Sequence, residues 1–242
     1  MQKIAFQLLG AVLAIFLWWF STDVINQDNP ILGEMGPWSA VTAIFRAAEA
    51  GWLFSTVGAS LFRLTLGLVI AVALGLLLGL LVGSFRRLEY AAGGVIQFIR
   101  MVSPLSWAPI AIMVFGIGDS PVVFLVAIAA IWPVLLATVS GMHALDARWW
   151  LLAKTLSATR FEFVRTFVLP GIRAQVTTGI RLALGVSWIV LVPAEMLGVD
   201  SGLGYQVLNT RDQFDYALLA GVMLVIGFVG YFMDLLAKKV LS

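Results

Sequence analysis

Charged and hydroxyl side chains that stand inside long apolar stretches are the residues of this sequence that could do chemistry. Arg100, Arg181 and Glu195 fall within or near stretches long enough to cross a bilayer. A charge at the bilayer centre costs about 2.5–3.5 kcal/mol on insertion scales, so such a residue usually faces a cavity or a partner. Ser103 and Ser106 lie at a proline-containing break, and unwound backbone at membrane depth is tolerated where it lines a cavity. We therefore expect Arg100, Ser103 and Ser106 to line a pathway through the membrane.

Arg181 and Glu195 have two interpretations that the sequence does not separate. Either they contact a substrate in the pathway, or they pair with neighbouring helices. Arg63 lies near the outer end of an apolar stretch and is predicted to be an anchor whose side chain reaches the membrane surface. If the substrate is an anion, a positively charged lining makes electrostatic sense.

The sequence offers few groups for catalysis. His143 is the only histidine and there is no cysteine, so neither a metal site nor a histidine-based dyad is expected. Carboxylates within the apolar stretches are too sparse for a paired acid/base site. No Gly-Lys pair occurs, so the chain lacks the phosphate-binding loop motif of ATPases. These observations disfavour an intramembrane enzyme, and His143 is expected at the membrane surface where a span ends.

The composition explains why polar groups are so rare. Of the 242 residues, 61% are hydrophobic and 12% are charged, whereas soluble domains carry about 25% charged residues. A globule of this size has no room to bury so much apolar surface, so lipid must be the solvent for much of it. Backbone groups in lipid must be satisfied within their own segment, which favours helices. The sequence therefore predicts an all-α integral membrane protein and excludes a soluble enzyme.

Six membrane-spanning helices are predicted from the apolar stretches. They cover residues 4–20, 64–85, 90–115, 122–142, 174–197 and 216–236. Ser103-Pro104 and Pro109 should break or kink the third. Residues 38–54 are predicted to form a helix in the membrane interface, because tryptophans stand at both ends. We accordingly divide the chain into residues 1–54 and a core of residues 55–242, which includes a cytoplasmic loop at 143–173.

A stripe of small residues marks one face of the second predicted span. Its members recur every four residues: Gly67, Ala71, Gly75, Gly79 and Gly83. At helical spacing they form a smooth surface that the backbone of another helix can approach closely. We interpret this stripe as packing and not as chemistry.

Basic residues are distributed unevenly between the two sides of the membrane. With six spans and an inside N-terminus, the inner segments hold ten: Lys3, Arg86, Arg87, Arg148, Lys154, Arg160, Arg165, Arg173, Lys238 and Lys239. The outer segments hold only Arg46 and Arg211. Cytoplasmic loops carry the excess of Lys and Arg, so both termini are predicted to be cytoplasmic.

The loop at 143–173 has an amphipathic pattern. Asp146 is placed to cap a helix, and its apolar positions recur at spacings of three and four: Trp149, Leu152, Ala153 and Leu156, with Arg148 off this face. Such a helix either rests on lipid headgroups or docks into the groove of a partner protein. The pattern alone supports both interpretations equally.

The same loop resembles the signature of the permease subunits of ABC importers, which reads Glu-Ala-Ala, three residues, Gly, nine residues, Ile-x-Leu-Pro. Aligned on Leu169-Pro170, it places residues 151–153 at the Glu-Ala-Ala positions, Ser157 at the glycine and Phe167 at the isoleucine. Only Ala153, Leu169 and Pro170 match outright.

Further motifs extend the resemblance over residues 60–234. Residues 103–110 and 115–118 resemble the third span of permeases for nitrate, sulfonate, taurine and bicarbonate. Residues 179–185, 194–198 and 201–205 resemble the fifth span and outer loop of that subgroup. The degenerate signature is more typical of the nitrate- and bicarbonate-like members, which favours a small oxyanion.

The resemblance implies a fold, a set of partners and a mechanism. Two permease subunits, here expected to be a homodimer, would form the pathway in the bacterial inner membrane. Two cytoplasmic ATPases with ATP and magnesium would drive it, and an external binding protein would deliver the substrate. The segment from Arg148 to Leu156, with Ser157, Leu169 and Pro170, would couple to the ATPase. No nucleic-acid partner is expected.

Two alternatives remain open at this point. A stand-alone secondary transporter or channel also suits six spans with broken helices. A membrane scaffold is disfavoured by the polar break in the third predicted span.

Overall fold

The chain folds entirely into helices and connecting turns throughout the residues that the structure describes. The structure is a computed structural model, and it describes residues 2–29, 31–146, 148–149, 155, 157 and 159–240. We number the α-helices α1 to α10 in chain order. They are α1 (Gln2–Trp19), α2 (Pro37–Glu49), α3 (Trp52–Ser84), α4 (Arg86–Met101), α5 (Ala108–Phe115), α6 (Asp119–His143), α7 (Arg160–Phe163), α8 (Leu169–Gly198), α9 (Leu203–Asp212) and α10 (Tyr216–Val240).

The prediction of an all-α membrane protein is confirmed. Five helical segments of the described chain are long and apolar enough to cross a membrane, and the count becomes six if one sharply bent pair is a single span. Four of the five contain α3, α6, α8 and α10. The fifth, Phe6–Ile25, joins most of α1 to a π-helical end at Phe20–Ile25.

The bent pair corresponds to the third predicted span, and its break is sharper than a kink. α4 and the segment Pro104–Phe115 meet at 87°. Val102 and Ser103 both lie outside the helical region, with ψ of 125° and 130°. For Ser103 the cause is Pro104, because a residue before proline is driven out of the helical region. Pro109 causes no break. It lies in the first turn of α5, where a missing N–H leaves no hydrogen bond unmade.

Two predicted boundaries on the N-terminal side are wrong. The second span begins at Trp52 and not at residue 64, because Arg63 does not mark its outer end but lies inside α3. The helix predicted at 38–54 therefore ends at Glu49, and Gly51, with φ of +79°, separates it from α3. The division drawn between residues 54 and 55 consequently falls inside α3.

Helices near the C-terminus also exceed the predicted bounds. α7 continues through a π-helical turn, Val164–Val168, directly into α8, so this helical segment begins well before the predicted span at residue 174. The connection left between the predicted spans 174–197 and 216–236 contains α9. The last helix runs to Val240 and includes the two lysines that were expected to follow it.

Two compact units can be distinguished in the chain. The first comprises Met1–Ser60 and Asp200–Tyr231. In it, α2 buries Ala40, Ala43 and Ala47 on one face. α10 packs closely on α2, because a Cβ added at Gly221 would lie 3.0 Å from the carbonyl oxygen of Ala40.

The second unit comprises Leu61–Val199 and Phe232–Ser242, and α3, α6 and α8 form its centre. The predicted packing of the small stripe is confirmed. A Cβ added at Gly67, Gly75 or Gly79 would come within 2.9 Å of a side-chain carbon of α6. Gly179 of α8 approaches α6 equally closely, with Ala137 as its neighbour. We call this contact of α6 with the glycines of α3 and α8 the seam. The helix backbones approach so closely there that any added carbon must push the helices apart.

A pair of glycine-to-alanine substitutions on α3 tests this seam. Gly79→Ala places a Cβ 2.6 Å from the Thr138 Cβ, and we expect a loss of about 1–3 kcal/mol in stability from overpacking. Gly58→Ala on the same helix meets nothing within 4 Å and should stabilise by about 0.5–1 kcal/mol through helix propensity. Thermal unfolding of the detergent-solubilised chain, followed by circular dichroism, measures both. Equal effects of the two substitutions would contradict the close seam.

Candidate functional site

A buried cluster of three charged residues joins the three central helices of the second unit. The Arg63 Nε donates to Asp119 Oδ1 at 2.6 Å, and its Nη1 donates to Glu195 Oε1 at 2.8 Å. Arg63 is 2% exposed and Glu195 is fully buried, whereas the Asp119 side chain is half exposed. Arg63 comes from α3, Asp119 from the first turn of α6 and Glu195 from the end of α8. One guanidinium thus bridges two carboxylates.

The prediction that Arg63 anchors the chain at the membrane surface is wrong. Arg63 lies four residues before Gly67, so it continues the face of α3 that packs against α6. The sequence carried this signal, because extending the four-residue period of small residues backwards reaches Arg63. For Glu195, the structure shows the pairing that was one of its two interpretations; its contact with substrate stays a prediction.

Backbone geometry supports the cluster. The Gly118 N–H donates to the Gly198 carbonyl at 3.0 Å and ties the start of α6 to the end of α8. Gly118 has φ of +134°, a conformation that a side chain would strain. Leu64, Val122 and Leu191, from the same three helices, belong to one apolar core.

The break between α4 and α5 places three of the predicted pathway residues close together along the chain. Arg100 lies in the last turn of α4, Ser103 at the extended break, and Ser106 in the 3-10 turn Pro104–Trp107. All three are exposed. The 3-10 turn itself contacts α6 and α8, and Trp107 packs against the core. Arg100 forms no ion pair with any residue that the structure describes.

Arg181 and Glu195 do not share one site. At 1.5 Å per residue they lie about 21 Å apart along α8. Arg181 is partly buried, and its Nε has no hydrogen-bond partner in the described chain. The Ser187 hydroxyl, between the two on α8, is also buried, with no partner among the described residues, and no sequence pattern singled it out. α8 therefore carries buried polar groups at several positions along its length.

The loop at 143–173 begins as predicted. The Asp146 carboxylate accepts the Arg148 N–H at 2.9 Å, and its carbonyl accepts the Trp149 N–H at 3.0 Å, so Asp146 is the predicted cap. The Trp149 ring lies 5.5 Å from that of Phe167, which connects the start of the loop to its end. Leu152, Ala153 and Leu156 lie outside the described residues.

Ser157 has a left-handed backbone, with φ of +54°. Such a conformation is one that glycine adopts without cost, and Ser157 occupies the position aligned with the glycine of the importer signature. Two residues later, Thr159 and Glu162 form a reciprocal capping box: Oε2 of Glu162 accepts the Thr159 N–H at 2.8 Å, and the Thr159 hydroxyl accepts the Glu162 N–H at 3.3 Å. Leu169 and Pro170 are exposed beyond it.

His143 ends α6 and contacts the first turn of α4. Its Nε2 lies 3.1 Å from Glu89 Oε2, and about half of its side chain is exposed. This contact fixes the loop-side end of α6 to the start of α4, and it leaves the only histidine in a structural position.

Substitutions in the buried cluster test whether the contributions of its charged residues to stability depend on one another. Arg63→Met leaves the fully buried Glu195 without its guanidinium, and we expect a loss of about 3–5 kcal/mol in stability. Adding Glu195→Gln to Arg63→Met removes the uncompensated charge and should recover a large part of that loss. Arg211→Gln, in an exposed pair with Asp212, should change stability by about 1 kcal/mol or less. Chemical unfolding of these proteins and of Glu195→Gln alone measures these effects, and strictly additive losses in the double variant would refute the coupling.

Comparison with known proteins agrees with this architecture. Residues 71–240 match the profile of the family described as binding-protein-dependent transport system inner membrane component. The chain is 32% identical over 226 residues to a putative aliphatic sulfonates transport permease of Bacillus subtilis, covering 88% of this chain and 82% of that protein. It is 31% identical over 226 residues to a nitrate import permease of Synechococcus elongatus, covering 90% and 81%. A bicarbonate transport system permease of the same species is 31% identical over 188 residues, covering 77% and 67%.

Solved structures show a similar fold. A chain of the MetNI methionine ABC transporter in an inward-facing conformation superposes with a TM-score of 0.67 at 14% identity, covering 78% of this chain and 94% of that one. An amino acid ABC transporter gives a TM-score of 0.55 at 21% identity, covering 81% and 94%. The family match and the three related permeases favour an importer subunit over a stand-alone transporter or channel. The chain belongs to the family of binding-protein-dependent transport system inner membrane components, the permease subunits of ABC importers.

Proposed function

We propose that this permease subunit carries a small anion or a sulfonate-like solute, such as nitrate, bicarbonate, an alkyl sulfonate or taurine. The single observation that carries the proposal is the set of relatives: each of the three named above transports a small anion by its printed name. The exposed Arg100, with no ion pair in the described chain, supplies a positive charge suited to such a substrate.

The pathway residues in this proposal are Arg100, Ser103 and Ser106 at the break, together with Arg181 and Glu195 on α8. The first three lie at a break where the helix is interrupted, so backbone and hydroxyl groups are available to a passing solute. α8 presents an exposed stripe of Thr178, Leu182, Gly185 and Ile189 at spacings of three and four. A second copy of this chain would pack against such a face, and the pathway would run between the two copies.

In this proposal, partner chains supply the energy for transport. The chain has no Gly-Lys pair, so two cytoplasmic ATPases would bind ATP and magnesium, and an external binding protein would deliver the solute. The loop that begins at Asp146 would dock into the ATPase. The Asp146 carboxylate is placed to cap the start of the docking helix, and the Thr159–Glu162 capping box begins the helix that follows it. Both termini would be cytoplasmic, because the basic residues concentrate on that side.

Uptake by an Arg100 variant tests the pathway. Arg100→Ala removes the positive charge at the break, and we expect uptake of the transported anion to fall by about tenfold, as the loss of one charge-assisted hydrogen bond implies. Arg100→Lys keeps the charge and should retain most of the uptake. Both variants must reach the membrane in normal amounts, which immunoblotting of membrane fractions establishes. Normal uptake by Arg100→Ala would remove Arg100 from the pathway.

ATP hydrolysis by the reconstituted complex tests the coupling loop. Ala153→Asp places a charge on the apolar face of the predicted docking helix, so substrate-stimulated hydrolysis should be lost while the chain still inserts into the membrane. Ser157→Gly is the matched control: it supplies the residue suited to φ of +54° and should preserve stimulation. Unchanged stimulation in Ala153→Asp would refute docking through this face.

A further inference from the structure

A small cavity lies within the first unit and shares no residue with the charged cluster or the break described above. It has a volume of about 150 Å³, and it is lined by Ala43, Arg46, Ala47, Trp52, Asp215 and Leu218. All six residues belong to the unit formed by Met1–Ser60 and Asp200–Tyr231. The cavity continues the groove between α2 and α10 beyond the close contact at Gly221. It exists because the small side chains of Ala43 and Ala47 leave the groove unfilled.

Two oppositely charged side chains line this cavity without forming an ion pair with each other. Arg46 lies in the last turn of α2, is exposed, and forms no ion pair with any described residue, Asp215 included. Asp215 precedes α10, and its Oδ1 accepts the Leu218 N–H at 2.9 Å. Its Oδ2 accepts no hydrogen bond from the part of the chain that the structure describes. A guanidinium and a carboxylate oxygen therefore both remain available to a ligand.

The cavity lies where two membrane-spanning helices begin. Trp52 is the first residue of α3, and Asp215 directly precedes α10. The opposite ends of these helices lead to the basic pairs 86–87 and 238–239. α3 has 33 residues, and at 1.5 Å per residue it is about 50 Å long. Since the hydrocarbon core is about 30 Å thick, the start of α3 reaches the headgroup layer, where tryptophan is enriched.

We propose that this cavity binds the headgroup of an ammonium-bearing phospholipid, of which phosphatidylethanolamine is the simplest. Arg46 binds the phosphate through charge-assisted hydrogen bonds. Oδ2 of Asp215 accepts from the ammonium, and the indole of Trp52 offers it a π-face. The acyl chains leave along the apolar surfaces of α2 and α10. The site would act as an outer-leaflet anchor for α2, α3 and α10, and it does not depend on which solute the chain transports.

A soluble zwitterion, such as phosphoethanolamine or taurine, offers the same pair of charges. The position of the cavity at the headgroup layer favours the lipid, because a soluble zwitterion gains nothing from apolar surface on either side. The charges also select among lipids. Phosphatidylglycerol has the phosphate but no ammonium, so it satisfies Arg46 and leaves Asp215 without a partner.

Binding of defined lipids to the delipidated full-length chain in detergent, measured by native mass spectrometry, tests the proposal. We expect phosphatidylethanolamine to bind about tenfold more tightly than phosphatidylglycerol, as one additional charged hydrogen bond implies. Arg46→Gln should weaken binding of both lipids by about tenfold, and Arg46→Lys should restore it. Asp215→Asn, which still caps α10, should abolish the preference between the lipids.

The control is Arg211→Gln, which removes an exposed cation of the same unit that does not line the cavity. It should leave lipid binding unchanged. Three results with the lipids overturn the proposal: equal affinity for the two lipids, an Arg46→Gln variant that binds as the wild type does, and an equal loss in Arg211→Gln. Phosphoethanolamine or taurine binding as tightly as phosphatidylethanolamine would also overturn it, and would assign the cavity to a soluble zwitterion.

Discussion

The hydrogen-bonded charges of Arg63, Glu195 and Asp119 set the constraint on which the second unit depends. Glu195 is fully buried, and a buried carboxylate without a cation costs several kcal/mol. The guanidinium that compensates it stands on a different helix, and the second carboxylate stands at the start of a third. The three helices therefore cannot separate at this point without exposing a charge to an apolar surrounding. A purely apolar contact among the same helices would allow sliding, whereas this cluster allows one arrangement.

The small-residue seam of α3 acts together with that cluster. Gly67, Gly75 and Gly79 let the backbones of α3 and α6 touch, which makes the contact close but leaves the register along the helices weakly specified. Arg63 stands on the same face, one turn before Gly67. Its hydrogen bond to Asp119, in the first turn of α6, fixes the register that repeated glycines alone would leave open. Close packing and charge pairing thus share one face of α3. The glycines determine how closely the helices approach, and the ion pair determines their register.

Much of the fold could be predicted from the sequence because lipid imposes a simple rule. Long apolar stretches with few charges must be helices, and small residues at a period of four must face another helix, so the helical class, the spans and the seam followed directly. The ends of the spans were harder to predict from the sequence. Arg63 was treated as the end of a span because one charge has two low-energy positions, at the membrane surface or beside a buried partner, and the local sequence does not decide between them. The partner, Glu195, is 132 residues away, so only the folded chain identifies it. The same holds for the 87° bend at Ser103, since proline indicates a break but not its angle.

In the loop at 143–173, the backbone at Ser157 keeps the conformation that glycine favours although the residue is not glycine. This bears on how the departures from the importer signature are to be interpreted. A serine stands where the signature has glycine, yet the backbone there is left-handed, as glycine would favour. A non-glycine residue adopts that conformation at a cost of about 1–2 kcal/mol, so neighbouring contacts must hold it. One such contact is present: Thr159 with Glu162 caps the helix that follows the turn. The start of that helix thus supports the turn. A missing glycine therefore indicates a change in what stabilises the turn, and does not indicate that the turn itself has been lost.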